Sequence, residues 1–132
     1  MAITTNAICN SFKKELLEGA HKFQAAPNGS TFKLAMFTNG ATLGKSTTGF
    51  ATNPGGGSNT EVTSPSGYTS GGKALVNVGT SLATNTAITD FADLSFVGVT
   101  LTARGALIYN TTTSGGSNTT DAVAVLDFGG DK

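Results

Sequence analysis

The sequence predicts a mainly β protein with one N-terminal helix, folded as an antiparallel β-sandwich or a partly open barrel with a long extended arm or loop. Three observations lead to this class. One stretch near the N-terminus has helical periodicity, several later stretches alternate apolar and polar residues, and helices do not alternate with those strands. The length of 132 residues predicts a single domain, residues 1–132.

The helix is predicted over about residues 6–25. One apolar stripe runs along it at spacings of three or four, formed by Cys9, Phe12, Leu16, Ala20 and Phe23. Thr5 or Asn6 can cap its N-terminus, and "APNG" at 26–29 ends it with a proline turn. The narrow stripe predicts a helix that lies on a sheet and keeps its other face in water.

Strands are predicted on either side of a long irregular segment. A first strand covers about residues 31–38, "TFKLAMFT", and the sandwich strands lie within about 73–128. Residues 39–72 hold scattered apolar side chains among glycines, threonines and two prolines. This composition predicts an arm that is either disordered or becomes ordered on a partner. Its larger apolar residues are therefore candidate interface residues: Leu43, Phe50, Val62 and Tyr68.

The charge is sparse and unevenly distributed. Charged residues make up 12% of the chain and the net charge is zero, which gives no electrostatic footprint for nucleic acid or an anionic membrane. Lysines dominate through Lys45 and aspartates from Leu82 onward, so copies of the chain could join head to tail. No signal peptide or membrane-spanning pattern is evident, which predicts folding in a cytoplasm without secretion.

Cys9 and His21 are the right residue types for a thiol nucleophile and its base. In one helix they would lie roughly 18 Å apart along the axis, too far to meet. Cys9 is expected to behave as a small buried hydrophobe, and His21, beside Glu18 on the polar edge, as a solvated side chain. A zinc site would need carboxylates for every other ligand, so no metal is expected.

Two further patterns have a simple structural explanation. "NGATLGKST" at 39–47 resembles a phosphate-binding loop, but Asn39 replaces the required glycine and no helix is predicted to follow. Four aspartates could gather calcium or act as a carboxylate pair, but "DFAD" lacks the glycine turn of a calcium loop and turn capping is the favoured explanation: Asp90, Asp93, Asp121 and Asp127. No arrangement meets the demands of an enzyme, and no cofactor or small-molecule substrate is predicted.

Arg104 is the single arginine and lies between small residues in "TARGA". It is either a surface arginine on an edge strand or a buried or interfacial arginine paired with one of the aspartates, because Ala103 and Gly105 allow a partner backbone to approach. Since arginine is enriched at interfaces, Arg104 is the fifth candidate interface residue.

Several stretches, in order along most of the chain, resemble a family of small virion structural proteins of tailed bacteriophages. They are "ICNSFKKELLEGAHKF", "TFKLAMFT", "GYTSGGKALVNV", "DFADLSFVGVTLTARGALIYN" and "AVAVLDFGGDK". The resemblance implies a virion component, and we expect a capsid-decorating cement protein that bridges neighbouring major capsid proteins. Its expected partners are the major capsid protein and copies of itself in a homo-oligomer.

Two alternatives stay open at this point. One is a tail, neck or fibre-associated virion protein. The other is a carbohydrate-binding module for host attachment, which would need exposed aromatic rings for stacking on sugars. The chain offers no tryptophan and only Tyr68 and Tyr109 among its tyrosines.

Overall fold

The computed structural model describes residues 3–63, 67–112 and 119–132. Within these ranges the chain forms one helix and seven strands. In chain order they are β1 (Ala7–Ile8), α1 (Asn10–Leu17), β2 (Phe32–Phe37), β3 (Lys73–Leu75), β4 (Asn77–Ala83), β5 (Thr86–Phe91), β6 (Gly105–Asn110) and β7 (Asp121–Asp127). The mainly β class with one N-terminal helix is confirmed.

The strands form two antiparallel sheets. The larger sheet has the order β1-β7-β6-β2-β3, so β1 and β3 are its two edges. The smaller sheet is the β4–β5 hairpin, paired from Asn77 opposite Phe91 to Ala83 opposite Thr86. In the described part of the chain the sheets do not close into a barrel, which is consistent with a sandwich.

The central strands of the larger sheet are covered on both faces. On one face Phe37, Leu107 and Val125 share a buried cluster. On the other face Met36 and Ala106 belong to a second cluster. Strands buried on both sides need apolar residues at consecutive positions, which explains the near-continuous runs "LAMF" in β2 and "AVAV" in β7.

Much of that cover is the irregular segment between β2 and β3, which we call the loop layer (residues 39–63 and 67–72). Backbone hydrogen bonds fix it to the strands: Val62 donates to the Met36 carbonyl of β2 at 2.9 Å, and Ala122 of β7 donates to the Thr48 carbonyl at 3.1 Å. The sequence predicted an arm that is disordered or waits for a partner. In its described residues that expectation is wrong, because the segment folds against the chain's own sheet.

The helix is much shorter than the predicted span of 6–25. Residues 7–8 are already strand β1, and Cys9 takes the N-cap position in an extended conformation without a side-chain capping bond. At the other end Gly19 adopts a φ of +76°, the left-handed conformation that commonly ends helices. The chain therefore turns before Ala20, and the later part of the predicted stripe is not helical.

Candidate protein-interaction surface

Three of the five predicted interface residues lie in the core. Leu43 joins the cluster around Phe37, while Val62 and Tyr68 join the cluster around Met36. Tyr68 keeps 1% of its surface exposed, so its side chain offers nothing to a partner. Phe50 is half-buried and stacks on Tyr109 with ring centroids 4.6 Å apart. The prediction that Leu43, Val62 and Tyr68 face a partner is therefore wrong, because these apolar side chains gain more by covering the sheet than by facing water. For Phe50, which is partly exposed, an interface role stays a prediction.

The buried carboxylate of Glu61 organises this region. Its Oε1 accepts hydrogen bonds from the Tyr68 hydroxyl at 2.9 Å and the Gly71 amide at 2.6 Å, and its Oε2 accepts one from Ser70 at 2.8 Å. The Tyr68 hydroxyl oxygen also accepts a bond from the Met36 amide in β2. These bonds satisfy a group that would otherwise be costly to bury. The network therefore holds the loop layer in place, and its role is structural.

Arg104 is partly buried and faces an aspartate, in agreement with the second of the two interpretations of the sequence. Its Nε lies 3.3 Å from Oδ1 of Asp127, at an ion-pair distance without the angle of a hydrogen bond. The backbone of Arg104 is also engaged, with its amide donating to Phe37 and its carbonyl accepting from Phe128. Arg104 therefore joins β6 to its neighbours within the chain.

Cys9 and His21 are both buried, which confirms the expectation for Cys9 and corrects it for His21. Burial, and secondarily the charge of Glu15, raise the pKa of the Cys9 thiol to about 11. At neutral pH the sulfur is therefore protonated and a poor nucleophile. His21 was expected in water beside Glu18. Because the chain turns at Gly19, His21 points inward instead, and its side chain is 0% exposed.

His21 links the turn after the helix to β6. The amide of Asn110 accepts a bond from Thr112 through Oδ1, so its Nδ2 faces Nδ1 of His21 at 3.0 Å. This leaves Nδ1 as the acceptor and places the proton on Nε2, which donates to Oε2 of Glu15 at 2.7 Å.

Glu15, His21 and Asp121 are also the described residues that could hold a metal ion. Their ligand atoms all lie within 4.8 Å of one another. A metal on Nε2 would have to displace the proton that Asn110 keeps there, so the tautomer favours the hydrogen-bonded network over a metal complex. Asp90 and Asp93 are exposed and do not belong to this group.

Uncovered apolar surface is concentrated in two parts of the chain. We define the helix patch as the exposed apolar residues of β1 and α1, which are Ile8, Leu16 and Leu17. We define the hairpin patch as those in and beside the hairpin, which are Val76, Val78, Leu82, Ile88 and Val97. Together they comprise all large apolar side chains that are exposed among the described residues. Leu17 is 91% exposed, and Leu82 is 72% exposed.

Among the described residues, the hairpin contacts the body of the chain at its base. The Asn77 side chain donates to the carbonyls of Gln24 and Ser30, and the Phe91 ring packs on Phe32 with centroids 5.6 Å apart. Every residue from 80 to 90 is exposed. Because successive side chains of a strand point to opposite faces, the hairpin is uncovered on both faces.

The sequence signals for this surface were present but ambiguous. Gly19 marks the end of the helix, yet Ala20 and Phe23 continue the apolar spacing beyond it. In "TSLATNTAIT" the two large apolar residues, Leu82 and Ile88, lie opposite small or polar partners, Ala87 and Ser81. A strand without a consistent apolar face has no side to bury. This pattern in the sequence could have predicted that the hairpin is exposed.

Comparisons with known proteins identify no relative: no protein-family model, curated protein or solved structure matches the chain. Among the described residues, no helix is long and apolar enough to span a membrane.

Proposed function

We propose that this chain is a structural component of a tailed-phage virion, a capsid-decorating cement protein that bridges neighbouring major capsid proteins. The observation that carries the proposal is that the exposed large apolar side chains of the described residues fall into two groups, the helix patch and the hairpin patch. A protein that holds a shell together has to contact at least two neighbours, each a capsid protein or another copy of itself, and exposed apolar side chains mark protein-binding surfaces. The sequence resemblance supplies the virion setting.

The rest of the chain supports a structural role. The ionisable residues of the interior are engaged within the chain, Glu61 by three donors and His21 by Glu15 and Asn110. The candidate sugar-stacking residues, Tyr68 and Tyr109, are both buried, so they cannot provide the aromatic surface that the carbohydrate-binding alternative needs.

The copy number on purified particles tests the proposal. Hundreds of copies on emptied heads, measured by quantitative mass spectrometry, are expected of a cement protein. A few copies confined to the tail would overturn it in favour of a tail, neck or fibre protein. Rebinding to stripped heads, followed by a heat challenge, measures the stabilisation directly, and heads that gain no resistance would contradict the cement role.

A pair of variants separates the two patches. Leu17→Asp places a charge on the helix patch, and Leu82→Asp places the same charge on the hairpin patch. If both patches serve in bridging, either variant lowers the heat resistance of rebound heads while the isolated chain keeps its unfolding midpoint. Full resistance with both variants would contradict bridging through these surfaces.

A further inference from the structure

The hairpin exposes two unpaired strand edges. β4 and β5 form a sheet of two strands, so each has one edge with no neighbouring strand among the described residues. Between residues 77 and 91 the single charged residue is Asp90, and the segment contains neither lysine nor proline. Proteins usually protect exposed edges with such residues, and an isolated hairpin is marginally stable in water. The hairpin therefore has the properties of a strand pair that is completed by another chain.

A groove lies beside β1, which is one edge of the larger sheet. The hairpin follows β3, which is the other edge. The volume of the groove is about 840 Å³, and the groove runs beside the segment that enters β1, residues 4–7. Its other wall is residues 42–48 together with Pro54. Lys45 is the one charged residue among those lining it. Four residues of extended chain span about 13 Å, enough for a short strand to lie alongside.

The strand order keeps the hairpin and the groove of one copy apart. The hairpin follows β3 directly, whereas the groove lies beside β1, and the order β1-β7-β6-β2-β3 puts these strands at opposite edges. Four interstrand spacings of about 4.8 Å amount to roughly 19 Å. The hairpin is exposed from residue 80 to residue 90 and does not cover its own groove, so the groove is open to the hairpin of a second copy.

We infer that the β4–β5 hairpin of one copy lies in the groove beside β1 of a second copy and adds its strands to the edge of that copy's larger sheet. The main-chain groups of both edges supply the hydrogen bonds. The charges are complementary, since the hairpin carries Asp90 and the groove carries Lys45. The inference deepens the self-association within the proposed function and rests on it for the identity of the partner.

The resulting contact is head to tail. Two different surfaces meet, so in a pair one copy keeps a free groove and the other keeps a free hairpin, and the assembly grows as a ring or an open chain. A hairpin in a short groove is a small contact, so we expect association that depends on concentration and is strengthened when many copies lie on one surface. The helix patch stays free to contact the shell.

Thiol crosslinking tests this arrangement. Thr5→Cys puts an accessible thiol in the groove, and Ala87→Cys puts one on the hairpin. The unmodified chain, whose cysteine Cys9 is buried, is the control for crosslinking at that residue. With a bis-maleimide, the double variant should give a ladder of covalent multimers, and a mixture of the two single variants should give dimers. Dimers from Ala87→Cys alone would overturn the inference in favour of hairpin-to-hairpin pairing. Absence of any crosslinked product would also overturn it.

Charge reversal gives an independent readout in sedimentation velocity over a concentration series. Asp90→Lys and Lys45→Glu should each weaken self-association by about five-fold, and the double reversal should restore most of the loss. Failure of the double variant to recover would show that these residues do not meet. A wild-type chain that remains monomeric at its highest soluble concentration would overturn the inference.

The outcomes also distinguish the inference from the proposed function. Self-association with the expected crosslinks but without copies on heads would contradict the cement role alone. The opposite result combines hundreds of copies on heads with a chain that is monomeric in solution and an Asp90→Lys variant that no longer binds heads. It would mean that the hairpin binds a shell protein, and it would overturn the inference but not the cement role.

Discussion

The loop layer and the β4–β5 hairpin lie close together in the sequence but are held in opposite ways. The loop layer is irregular in its described residues, yet its Leu43, Val62 and Tyr68 are buried and its backbone is bonded to the sheet. The hairpin has regular strands with a continuous ladder beyond its bulge, yet both of its faces are in water. Regular secondary structure and attachment to the core are therefore separate properties in this protein.

The two regions differ in how their backbone N–H and C=O groups find hydrogen-bond partners. A hairpin pairs its inner edges by itself and needs no core. An irregular segment can be buried only when other groups bond its backbone. Here the Glu61 carboxylate accepts from the Gly71 amide, and the Tyr109 hydroxyl donates to the Gly71 carbonyl. We therefore expect changes in the loop layer to alter stability and changes in the hairpin to alter association.

The largest effect is expected from Tyr68→Ala. The substitution removes a buried ring that packs near Phe96, together with the hydroxyl that bonds Glu61 and Met36. A loss of about 3–5 kcal/mol in the free energy of unfolding is expected, measured by urea denaturation. Tyr68→Phe keeps the ring and should lose about 1–3 kcal/mol. Equal losses for the two variants would show that the ring contributes nothing.

A slightly smaller effect is expected from Gly72→Ala. Gly72 has a φ of +80°, and an added Cβ would overlap the backbone carbonyl of Leu34 in β2. Gly56 has the same φ of +80° but open space around it, which makes Gly56→Ala a matched control. The control should lose about 1–2 kcal/mol for backbone strain alone, and Gly72→Ala about 3 kcal/mol. Similar losses would mean that the loop layer can move away from β2.

Alkaline pH should weaken the contacts of the loop layer. Burial, followed by the charge of Glu15, raises the pKa of Cys9, which lies beside Gly44, from the ordinary value of 9.0 to about 11 in the folded chain. Its stabilising contribution is therefore complete below about pH 9 and is lost as the pH rises through about 11. Burial, followed by the charge of Glu61, raises the pKa of Tyr109, and burial with a smaller contribution from Glu61 raises that of Tyr68, which extends the loss to higher pH.

Urea midpoints between about pH 8 and about pH 11 measure this dependence. Cys9→Ala removes the thiol titration and should flatten the first part of the decline. An unchanged decline in that variant would assign the effect to the tyrosines. A midpoint that rises with pH would contradict the direction of all three shifts.

The smallest effect on stability is expected in the hairpin. Leu82→Ala should change the free energy of unfolding by no more than about 0.5 kcal/mol, because the side chain is already in water. Urea denaturation at a protein concentration where the chain is monomeric measures it. A loss comparable to that of Tyr68→Phe would show that the hairpin packs on the body of its own chain.

Part of the fold could be predicted from the sequence because periodicity records burial. The runs in β2, β6 and β7 marked their strands, and the burial of Cys9 followed from its place among apolar residues. The helix was extended too far because Ala20 and Phe23 keep helical spacing while pointing into the core from a turn. The candidate interface was misplaced because apolar residues scattered among glycines look the same whether they cover a sheet or a partner.

The sequence by itself determined the mainly β class, the antiparallel connections and the strands of the central sheet, because local spacing selects strand or helix without reference to distant residues. Only the tertiary structure decided which segments are buried. Tyr68 fixes the loop layer to β2 through Met36, which is 32 residues away in the chain. The edge positions of β1 and β3 leave a groove and a hairpin at opposite sides of the sheet. Burial depends on which surfaces meet in space, and that information is absent from any single stretch of sequence.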